Sequence, residues 1–483
     1  MRLKSGSLFI LLVFGTLLLF SCKKEKLLSS GGELRFSTDT LTFDTVFTEA
    51  GSFTLGLKIF NPQNQKINIS SIRLEKGDSS FFRLNVNGVP GNAINNIELA
   101  ANDSIYVFAT VKIDPRNQSN PFLITDKLIA TLNGNEYSVP FMAYGQDAYY
   151  VVGQIIGQNT TWHTDKPYVV LHSALVEKGA TLTIPAGCRI YMNADSRLYV
   201  YGRLLVNGTK EDSVIFQGNR LDRGYFGYED YPGEWGGIYF DTASTGNVMK
   251  WAILKNCGNN TMGFEPFGVM VAGYPGISTQ LEMYNTIIAN SIGFGLLSVG
   301  GNIKAENCMV HSTGTQAFAA FQGGNYRFTN CNFVNYQPSK LSHTDEPTVA
   351  LLNYRDISNT QYVQGDLSAR FTNCLIFGSM EDELLCLRKG TALYEAGFDH
   401  CLIKRTKPLD TDMVNSGAIQ LTETILTTDR ESPFMDHKKW NFRPKEGAPM
   451  INKGTAVPGI SNDLDDKPWI AADTFDIGAY KYP

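Results

Sequence analysis

Two kinds of hydrophobic pattern divide the chain. Residues 33–147 carry short runs in which apolar and polar residues alternate, such as Phe53–Phe60 and Ser104–Val111. Turn residues separate these runs, among them Asn61-Pro62 and Asn133-Gly134. A period of two with Asn-Gly turns is typical of antiparallel strands, so this segment is predicted to be a small β-sandwich.

A different pattern recurs between residues 148 and 430, where short apolar strands alternate with polar turns. One short sequence motif recurs, each time centred on a small residue: Thr286, Cys308, Cys331, Cys374 and Cys401. These positions are separated by 22, 23, 43 and 27 residues. A period in the low twenties without a helical pattern is typical of a parallel β-solenoid, and we expect a right-handed parallel β-helix. The interval of 43 residues is predicted to hold two coils.

Stacked coils place equivalent positions about 4.8 Å apart, so the recurring motif predicts rows of similar side chains. One row consists of amides that are expected to bond to one another: Asn285, Asn307, Asn330 and Asn373. The small residues are expected to form a second row inside the coil. Successive side chains of a parallel stack point the same way, which is poor disulfide geometry. The seven cysteines after Cys22 are therefore predicted to be buried thiols.

The two ends of the chain follow neither pattern. Residues 1–21 combine a basic start with an apolar run, Leu8 to Phe20, that is shorter than the roughly 20 residues needed to span a bilayer. They are predicted to be a signal peptide. Residues 22–32 are predicted to be a polar tether. Residues 431–483 are predicted to be a cap that covers the last coil, because an open solenoid end would expose strand edges.

Leu19-Phe20-Ser21-Cys22 resembles the lipobox of bacterial lipoproteins, which implies cleavage before Cys22 and lipid on its thiol. Such a lipid attaches a protein firmly to a membrane. Phe82–Gly88 and Asn102–Phe108 resemble the immunoglobulin-like domain at the front of many exported lipoproteins of Bacteroidetes. Leu175–Cys188 and Gly233–Phe240 resemble the first coils of bacterial surface β-helix proteins. Together these resemblances imply an outer membrane lipoprotein on the periplasmic or cell-surface face.

Charge narrows the choice of partner. Removal of residues 1–21 deletes Arg2 and Lys4 and leaves 42 − 2 = 40 basic residues against 47 acidic ones, a balance of −7. Nucleic acid binding requires a concentrated basic face, so nucleic acid is excluded as a partner. The cysteines lack the C-x₂-C spacing of zinc sites, and neither a metal nor another cofactor is predicted.

The best candidate for ligand binding lies between Asn219 and Glu234. Aromatic rings can stack on sugar faces while charged groups meet hydroxyls or acid groups, and this stretch is dense in both. The predicted glycan contacts are Arg223, Tyr225, Tyr228, Glu229, Asp230 and Tyr231. A loop that only packs on the next coil is the favoured interpretation of this stretch, and ligand binding and a catalytic site stay open beside it.

Two further polar clusters are weaker candidates. His343-Thr344-Asp345-Glu346 could hold an acid, a base or a metal, but a polar surface loop is the favoured interpretation. Asp463, Asp465 and Asp466 lack the glycine and terminal glutamate spacing of an EF-hand, so a turn is predicted there.

The predicted function is that of a membrane-anchored, non-catalytic lipoprotein whose solenoid flank binds polysaccharide or an envelope protein. A carbohydrate-active enzyme, such as a polysaccharide lyase or a glycoside hydrolase, and a purely structural envelope component are the alternatives. A convergent site of acid, base and cation would favour the enzyme. An aromatic stripe without such a site would favour binding. The absence of both features would favour the purely structural component.

Overall fold

The computed structural model describes most of residues 26–482. The positions outside the described part within that range are 222, 223, 225, 226, 228, 229, 260–262, 264, 275–279, 337–340 and 470–474. The chain divides into two compact units, residues 1–147 and 148–483. Within the described residues, no helix is long and apolar enough to cross a membrane.

The first unit is a β-sandwich of two five-stranded sheets, ordered β1-β3-β8-β5-β6 and β2-β10-β9-β4-β7 in the described part. A short 3-10 helix, Gly77–Ser79, precedes β5. The strands are β1 Arg35–Phe36, β2 Leu41–Phe47, β3 Leu55–Phe60, β4 Ile67–Leu74, β5 Phe82–Val86, β6 Val89–Pro90, β7 Ala93–Leu99, β8 Ser104–Val111, β9 Phe122–Leu132 and β10 Asn135–Gln146.

Alternation along these strands produces the sandwich core. Every second side chain of β3 is buried, and the rings of Phe43, Phe82 and Phe141 meet at centroid distances of 5.7 and 5.5 Å. The predicted sandwich is confirmed, with one difference in strand direction: β2 joins β10 in parallel, whereas the other pairs are antiparallel.

The second part of the predicted tether contacts the sandwich. Leu28 donates its backbone N–H to the Lys66 carbonyl at 2.8 Å, and its side chain packs on the core. Tyr137 donates its hydroxyl to the Gly32 carbonyl, also at 2.8 Å. Residues 28–32 are thus held against the sandwich rather than being a free linker.

The second unit is a parallel solenoid with one short helix, α1 Thr411–Asn415, and a 3-10 helix, His437–Lys439. Its first strands are β11 Tyr149–Ile156, β12 Thr160–Thr161, β13 Tyr168–Val176, β14 Thr181–Pro185, β15 Arg189–Met192, β16 Leu198–Val200, β17 Arg203–Asn207, β18 Val214–Gly218, β19 Ile238–Phe240, β20 Asn247–Lys250, β21 Ala252–Lys255, β22 Phe267–Ala272, β23 Leu281–Tyr284, β24 Ile287–Ser291, β25 Phe294–Val299 and β26 Asn302–Glu306. The remaining strands are β27 Met309–Thr313, β28 Phe318–Phe321, β29 Gly324–Thr329, β30 Asn332–Asn335, β31 Val349–Leu352, β32 Tyr354–Asp356, β33 Tyr362–Gln364, β34 Leu367–Thr372, β35 Leu375–Gly378, β36 Leu384–Leu387, β37 Tyr394–Asp399, β38 Leu402–Lys404, β39 Ile419–Thr422, β40 Ile425–Thr427, β41 Phe434–Asp436 and β42 Asn441–Pro444.

Each regular coil contributes one strand to each of three faces. In the described part, face 1 is the ten-stranded sheet β12-β14-β17-β20-β23-β26-β29-β34-β37-β39. Faces 2 and 3 form one continuous sheet that bends between them. Face 2 holds β15, β18, β21, β24, β27, β30, β35, β38 and β40, and face 3 holds β16, β19, β22, β25, β28, β31 and β36, while β11 and β13 span both.

The predicted repeat is confirmed except at its longest interval. The 43 residues from Cys331 to Cys374 form one coil, because Thr329 pairs directly with Thr372. The extra residues belong to the connection after β30 and to the β32–β33 hairpin, whose two strands pair with each other in antiparallel fashion. Spacing alone cannot distinguish an inserted loop from a second coil.

The row of small residues lies inside the solenoid as predicted. Cys308, Cys331, Cys374 and Cys401 are buried in the core, and the seven described cysteines are free thiols. Cys386 differs from the prediction because it is only partly buried. Burial raises the pKa of the Cys308 and Cys374 thiols well above the usual range, so both stay protonated.

The asparagine row marks the turn from face 1 to face 2. Asn285, Asn307, Asn330 and Asn373 all have left-handed backbones, with φ between 48° and 53°. Asparagine tolerates this conformation better than most residues. Only Asn373 donates to a neighbouring amide of the row, Asn330 Oδ1, at 2.9 Å. The other bonds expected along the row are replaced by bonds to the end of the chain, such as Asn307 Nδ2 to the Asn462 carbonyl at 2.8 Å.

The described parts of the C-terminal segment, residues 431–469 and 475–482, lie along the side of face 2. Phe442, Met450 and Ile477 pack against the outward side chains of this face, which include Met309 and Leu375. The segment predicted as a cap is therefore not confined to the last coil. At that end, the core is completed by the chain around α1, through Leu409 and Met413.

Candidate functional site

The described structure contains only part of the predicted glycan-binding segment. Arg223, Tyr225, Tyr228 and Glu229 lie outside the described residues. Tyr231 is 49% exposed, and Asp230 is half-buried. The contact surface expected from this segment therefore stays a prediction.

The end of the segment is anchored at the bend between faces 2 and 3. Trp235 is fully buried, stacks on Phe216 at a centroid distance of 6.3 Å and donates Nε1 to the Lys255 carbonyl at 2.9 Å. Three residues later the chain enters β19. The tyrosine-rich segment thus leads directly into face 3.

The outward side of face 3 carries a column of uncharged side chains. Strand pairing places these residues in register: Ile155, Leu175, Tyr199, Tyr239, Met270, Leu297, Ala319, Ala350 and Leu385. The far half of the column is buried, with Ala319 at 0% and Ala350 at 1% exposure. Its near half is accessible, and we call Leu175, Tyr199, Tyr201, Tyr239 and Met270 the tyrosine flank.

Three rings form the centre of the tyrosine flank. Tyr199 and Tyr239 meet edge to face at 6.0 Å, and Tyr201 lies 6.4 Å from Tyr239 between centroids. Burial, followed by the nearby Asp241, raises the pKa of Tyr239 above its ordinary value. The Tyr239 hydroxyl therefore stays uncharged at neutral pH and can both donate and accept hydrogen bonds.

A buried arginine supports the flank from below. Arg197 is fully buried, and its guanidinium lies 4.3 Å from the Phe267 ring and 5.8 Å from the Tyr199 ring. Its Nε donates to the Gly236 carbonyl at 2.7 Å. The planar cation thus ties β16 to the segment that precedes β19, which fixes the base of the ring cluster.

Face 1 differs from face 3 because its outward column is charged. Glu282, Lys304, Arg327 and Arg370 stand in register on adjacent strands. Lys304 forms an ion pair with Glu306 at 2.7 Å. Tyr284 donates its hydroxyl to Glu282 at 2.5 Å and lies 3.4 Å from the Lys304 Nζ.

This charged column borders a cleft of about 440 Å³ at the edge of faces 1 and 2. Its floor consists of two short columns from three successive coils: Lys250, Tyr284 and Glu306, then the turn residues Trp251, Asn285 and Asn307. The C-terminal segment supplies the opposite wall with Gly459, Ile460, Ser461, Asn462 and Asp466.

Sequence reasoning missed this cluster, although the repeat contained a signal for it. Tyr284 and Glu306 are separated by one period of 22 residues, as are Glu282 and Lys304. The period therefore places these side chains next to one another on one face. The wall from the C-terminal segment had no comparable signal, because it comes from a contact distant in sequence.

The His343 cluster is mostly structural. His343 is buried and accepts a hydrogen bond at Nδ1 from Asn335 at 3.0 Å, while Nε2 donates to Glu383 at 2.9 Å. Glu383 also accepts the hydroxyl of Thr348 at 2.6 Å. The surface-loop interpretation is wrong for His343, whereas Thr344 and Asp345 are exposed. The buried pair joins the residues before β31 to the residues before β36.

The aspartates near the end of the chain organise a turn. Asp463 is fully buried and accepts the backbone N–H groups of Asp465 and Lys467 at 2.9 and 2.8 Å. Asp465 forms a two-point ion pair with Arg443. Among the described residues, no group of three or more His, Cys, Asp or Glu side chains is arranged to hold a metal.

Comparison with known proteins supports the solenoid. Residues 168–333 match the family model described as "Right handed beta helix region". That part of the chain is a right-handed β-helix. The matched range includes the tyrosine flank and the floor of the cleft. No curated protein matches the sequence.

Solved structures resemble the chain only weakly. The catalytic unit of a GH87 alpha-1,3-glucanase from Streptomyces thermodiastaticus is 8% identical, over 77% of this chain and 88% of that one, with a TM-score of 0.26. A family 123 glycoside hydrolase from Clostridium perfringens is 12% identical over 26% of each chain, with a TM-score of 0.18. The PapD-like domain 7 of human CEP192 is 15% identical, over 26% of this chain and 92% of that domain, with a TM-score of 0.17. TM-scores this low establish neither a shared fold nor a shared function.

Proposed function

We propose that this protein is a membrane-anchored lipoprotein of the bacterial envelope that binds glycan, without catalysis, on the tyrosine flank of its β-helix. The observation that carries the proposal is the cluster of Tyr199, Tyr201 and Tyr239, three partly exposed rings on an uncharged column. Aromatic faces stack on sugar rings, and the hydroxyls of the rings pair with sugar hydroxyls. An uncharged column favours a neutral glycan over a strongly acidic one.

The strongest candidate for catalysis offers a poor base. Tyr284 lies beside Lys304, an arrangement that could serve a lyase, but its hydroxyl already donates to Glu282. Burial and this hydrogen bond raise the pKa of Tyr284 above its ordinary value, which disfavours the phenolate that would abstract a proton. Glu306 is paired with Lys304. These contacts favour binding over proton transfer.

The membrane anchor is proposed from the sequence around Cys22, which lies outside the described residues. Replacing Cys22 by alanine removes the thiol that would carry lipid. We expect Cys22→Ala to release the protein from membranes or to leave it unprocessed. Membrane fractionation and the intact mass of the mature protein are the measurements, and an unchanged mass with unchanged fractionation would refute the anchor.

Glycan binding is tested with the mature protein on an array of neutral and uronic acid polysaccharides, followed by titration of the strongest ligand. Replacing Tyr199, Tyr201 and Tyr239 together by alanine should raise Kd about tenfold or more, because a loss of about 1.4 kcal/mol of binding free energy is tenfold in Kd. Tyr106 and Tyr144, which are 47% and 41% exposed on the sandwich, provide a matched control. Equal binding by the folded flank variant and the control would refute the proposal.

Catalysis is tested in parallel by incubating the same polysaccharides with the protein. A lyase produces unsaturated ends that absorb in the ultraviolet, and a hydrolase produces reducing ends. We expect neither product. Cleavage that is lost in Tyr284→Phe would show that the protein is an enzyme and that the cleft, not the flank, is its main site.

A further inference from the structure

We propose that the cleft between the asparagine turn and the C-terminal segment is a second site, which binds a single neutral sugar ring. It lies at the edge of faces 1 and 2, whereas the tyrosine flank lies on face 3, so the two sites are independent. Its volume of about 440 Å³ falls in the range of small-molecule sites.

The first observation is an unusual residue in the turn. Trp251 occupies the position that Asn285 and Asn307 occupy in the next two coils, and it has the same left-handed backbone, with φ of 48°. A bulky residue in this conformation is strained by about 1–2 kcal/mol, whereas asparagine tolerates it well. A strained aromatic residue at the edge of a cleft points to a functional role.

The second observation is the pair of rings that the cleft contains. Trp251 and Tyr284 both line it and are both partly exposed. Each ring also lies near a lysine: Lys210 Nζ is 5.4 Å from the Trp251 ring, and Lys304 Nζ is 5.3 Å from the Tyr284 ring. These cations hold the rings in place, which leaves less side-chain entropy to lose on binding.

The third observation is a surplus of hydrogen-bond acceptors. Asn307 is 7% exposed, and its Nδ2 donates to the Asn462 carbonyl, but its buried Oδ1 has no donor among the described residues. Leaving a buried acceptor unpaired costs about 1–3 kcal/mol. A ligand hydroxyl that reaches this oxygen through a small shift of the side chain would offset that cost. The carboxylates of Glu306 and Asp466 add further acceptors.

The charges of the lining select a neutral ligand. Lys250 contributes one positive charge and Asp466 one negative charge, while Glu306 is balanced by Lys304. An acidic ligand would meet Asp466 and Glu306, and a cationic ligand would meet Lys250 and Lys304. A neutral, flat ring rich in hydroxyl donors satisfies the acceptors without a charge conflict, and a hexose or N-acetylhexosamine has this chemistry.

The test is ligand-observed NMR on the mature protein with methyl glycosides of glucose, galactose, mannose and N-acetylglucosamine, and with glucuronic acid as the charged comparison. We expect at least one neutral glycoside to bind. Tyr284→Ala and Trp251→Phe should each weaken that binding about fivefold or more. Arg370→Ala, on the same face but outside the cleft, should leave it unchanged.

Several results would overturn the site. They are binding of none of the neutral glycosides, a preference for glucuronic acid, and binding that is equal in folded Tyr284→Ala and in the parent. Because the cleft variants leave the tyrosine flank intact, polysaccharide binding by the flank is measured separately in the same proteins. Failure of one site is therefore distinguishable from failure of the other.

Discussion

Faces 2 and 3 of the solenoid both direct apolar side chains outward, but the C-terminal segment covers face 2, whereas the near half of face 3 is accessible. Met309, Leu375 and Leu402 lie beneath the C-terminal segment and are almost fully buried. On face 3, Tyr201 is 38% exposed, and Tyr199 and Tyr239 are also accessible. The side chains buried on face 2 lack hydroxyls and include Phe377, whereas the accessible part of face 3 carries three rings with hydroxyls. This difference separates a surface that serves packing from one that suits a ligand.

The largest effect is expected beneath the C-terminal segment. Phe442 is 1% exposed and packs against Phe434 and His311 at centroid distances of 5.3 and 4.9 Å. Phe442→Ala should lower the free energy of unfolding by about 3–5 kcal/mol, because it leaves a cavity in a dry interface. Chemical denaturation measures the change. Met435→Ala, at a site 55% exposed, is the control, and equal effects of the two would show that face 2 is not tightly covered.

Acid should weaken the same interface. Burial lowers the pKa of His311 to about 3, below the value of about 6.5 in an unfolded chain. The unfolded state therefore binds the proton more readily than the folded state. The contribution of neutral His311 to the free energy of unfolding is complete above pH 6.5 and is lost as the pH falls towards 3. The loss is about 1.4 kcal/mol per pH unit, or roughly 2 kcal/mol between pH 6.5 and 5.

The measurement is the free energy of unfolding of the parent and of His311→Gln between pH 7 and 5. The variant starts from a lower stability but should show a shallower dependence on pH. His163→Gln, at an exposed position, should keep the slope of the parent. Identical slopes in all three proteins would mean that His311 is accessible to protons in the folded state.

The asparagine turn should show an intermediate effect. Asn373 donates to Asn330 Oδ1 and to the Thr455 carbonyl, and it accepts the Thr455 N–H at 2.8 Å. Asn373→Ala should cost about 1–3 kcal/mol of stability, because it leaves these partners unpaired. The exposed Asn325 on β29 provides a matched control. Equal melting temperatures of Asn373→Ala and Asn325→Ala would argue against this contact.

The smallest effect on stability is expected on the accessible face. Tyr201→Ala should change the free energy of unfolding by no more than about 0.5 kcal/mol, because the ring is 38% exposed. Differential scanning calorimetry measures this change. A loss comparable to that of Phe442→Ala would assign the ring to packing and remove the contrast between the two faces.

The repeat made most of the solenoid predictable. Cysteines at one period enter the core, and asparagines beside them adopt the left-handed turn, because both requirements are local to each coil. The single coil between Cys331 and Cys374 was misread because an excursion such as the β32–β33 hairpin adds residues without adding a coil. The tyrosine flank was also missed: Tyr199 and Tyr239 are adjacent in space but separated by a long loop, which breaks the period.

The place of the C-terminal segment was not predictable for a related reason. Its bonds join residues very far apart in sequence, such as Asn332 to Ala479 and Lys210 to Leu464. Because such a contact occurs only once in the chain, it leaves no periodic pattern in the sequence from which it could be predicted. The predicted cap over the last coil rested on the general rule that exposed strand edges are covered. In this protein the segment instead buries the apolar side of face 2.

The docking of the C-terminal segment also determines when the fold can be completed. Coils can form one after another as the chain emerges, since each needs only its predecessor. Face 2 has no cover until Phe434, Met450 and Ile477 have been synthesised, because these residues follow all the coils in the sequence. Closing such a long loop is slow, and an exposed apolar side aggregates easily while it waits. The rate-limiting step of folding is thus expected to be the docking of the C-terminal segment on face 2 rather than the formation of the coils.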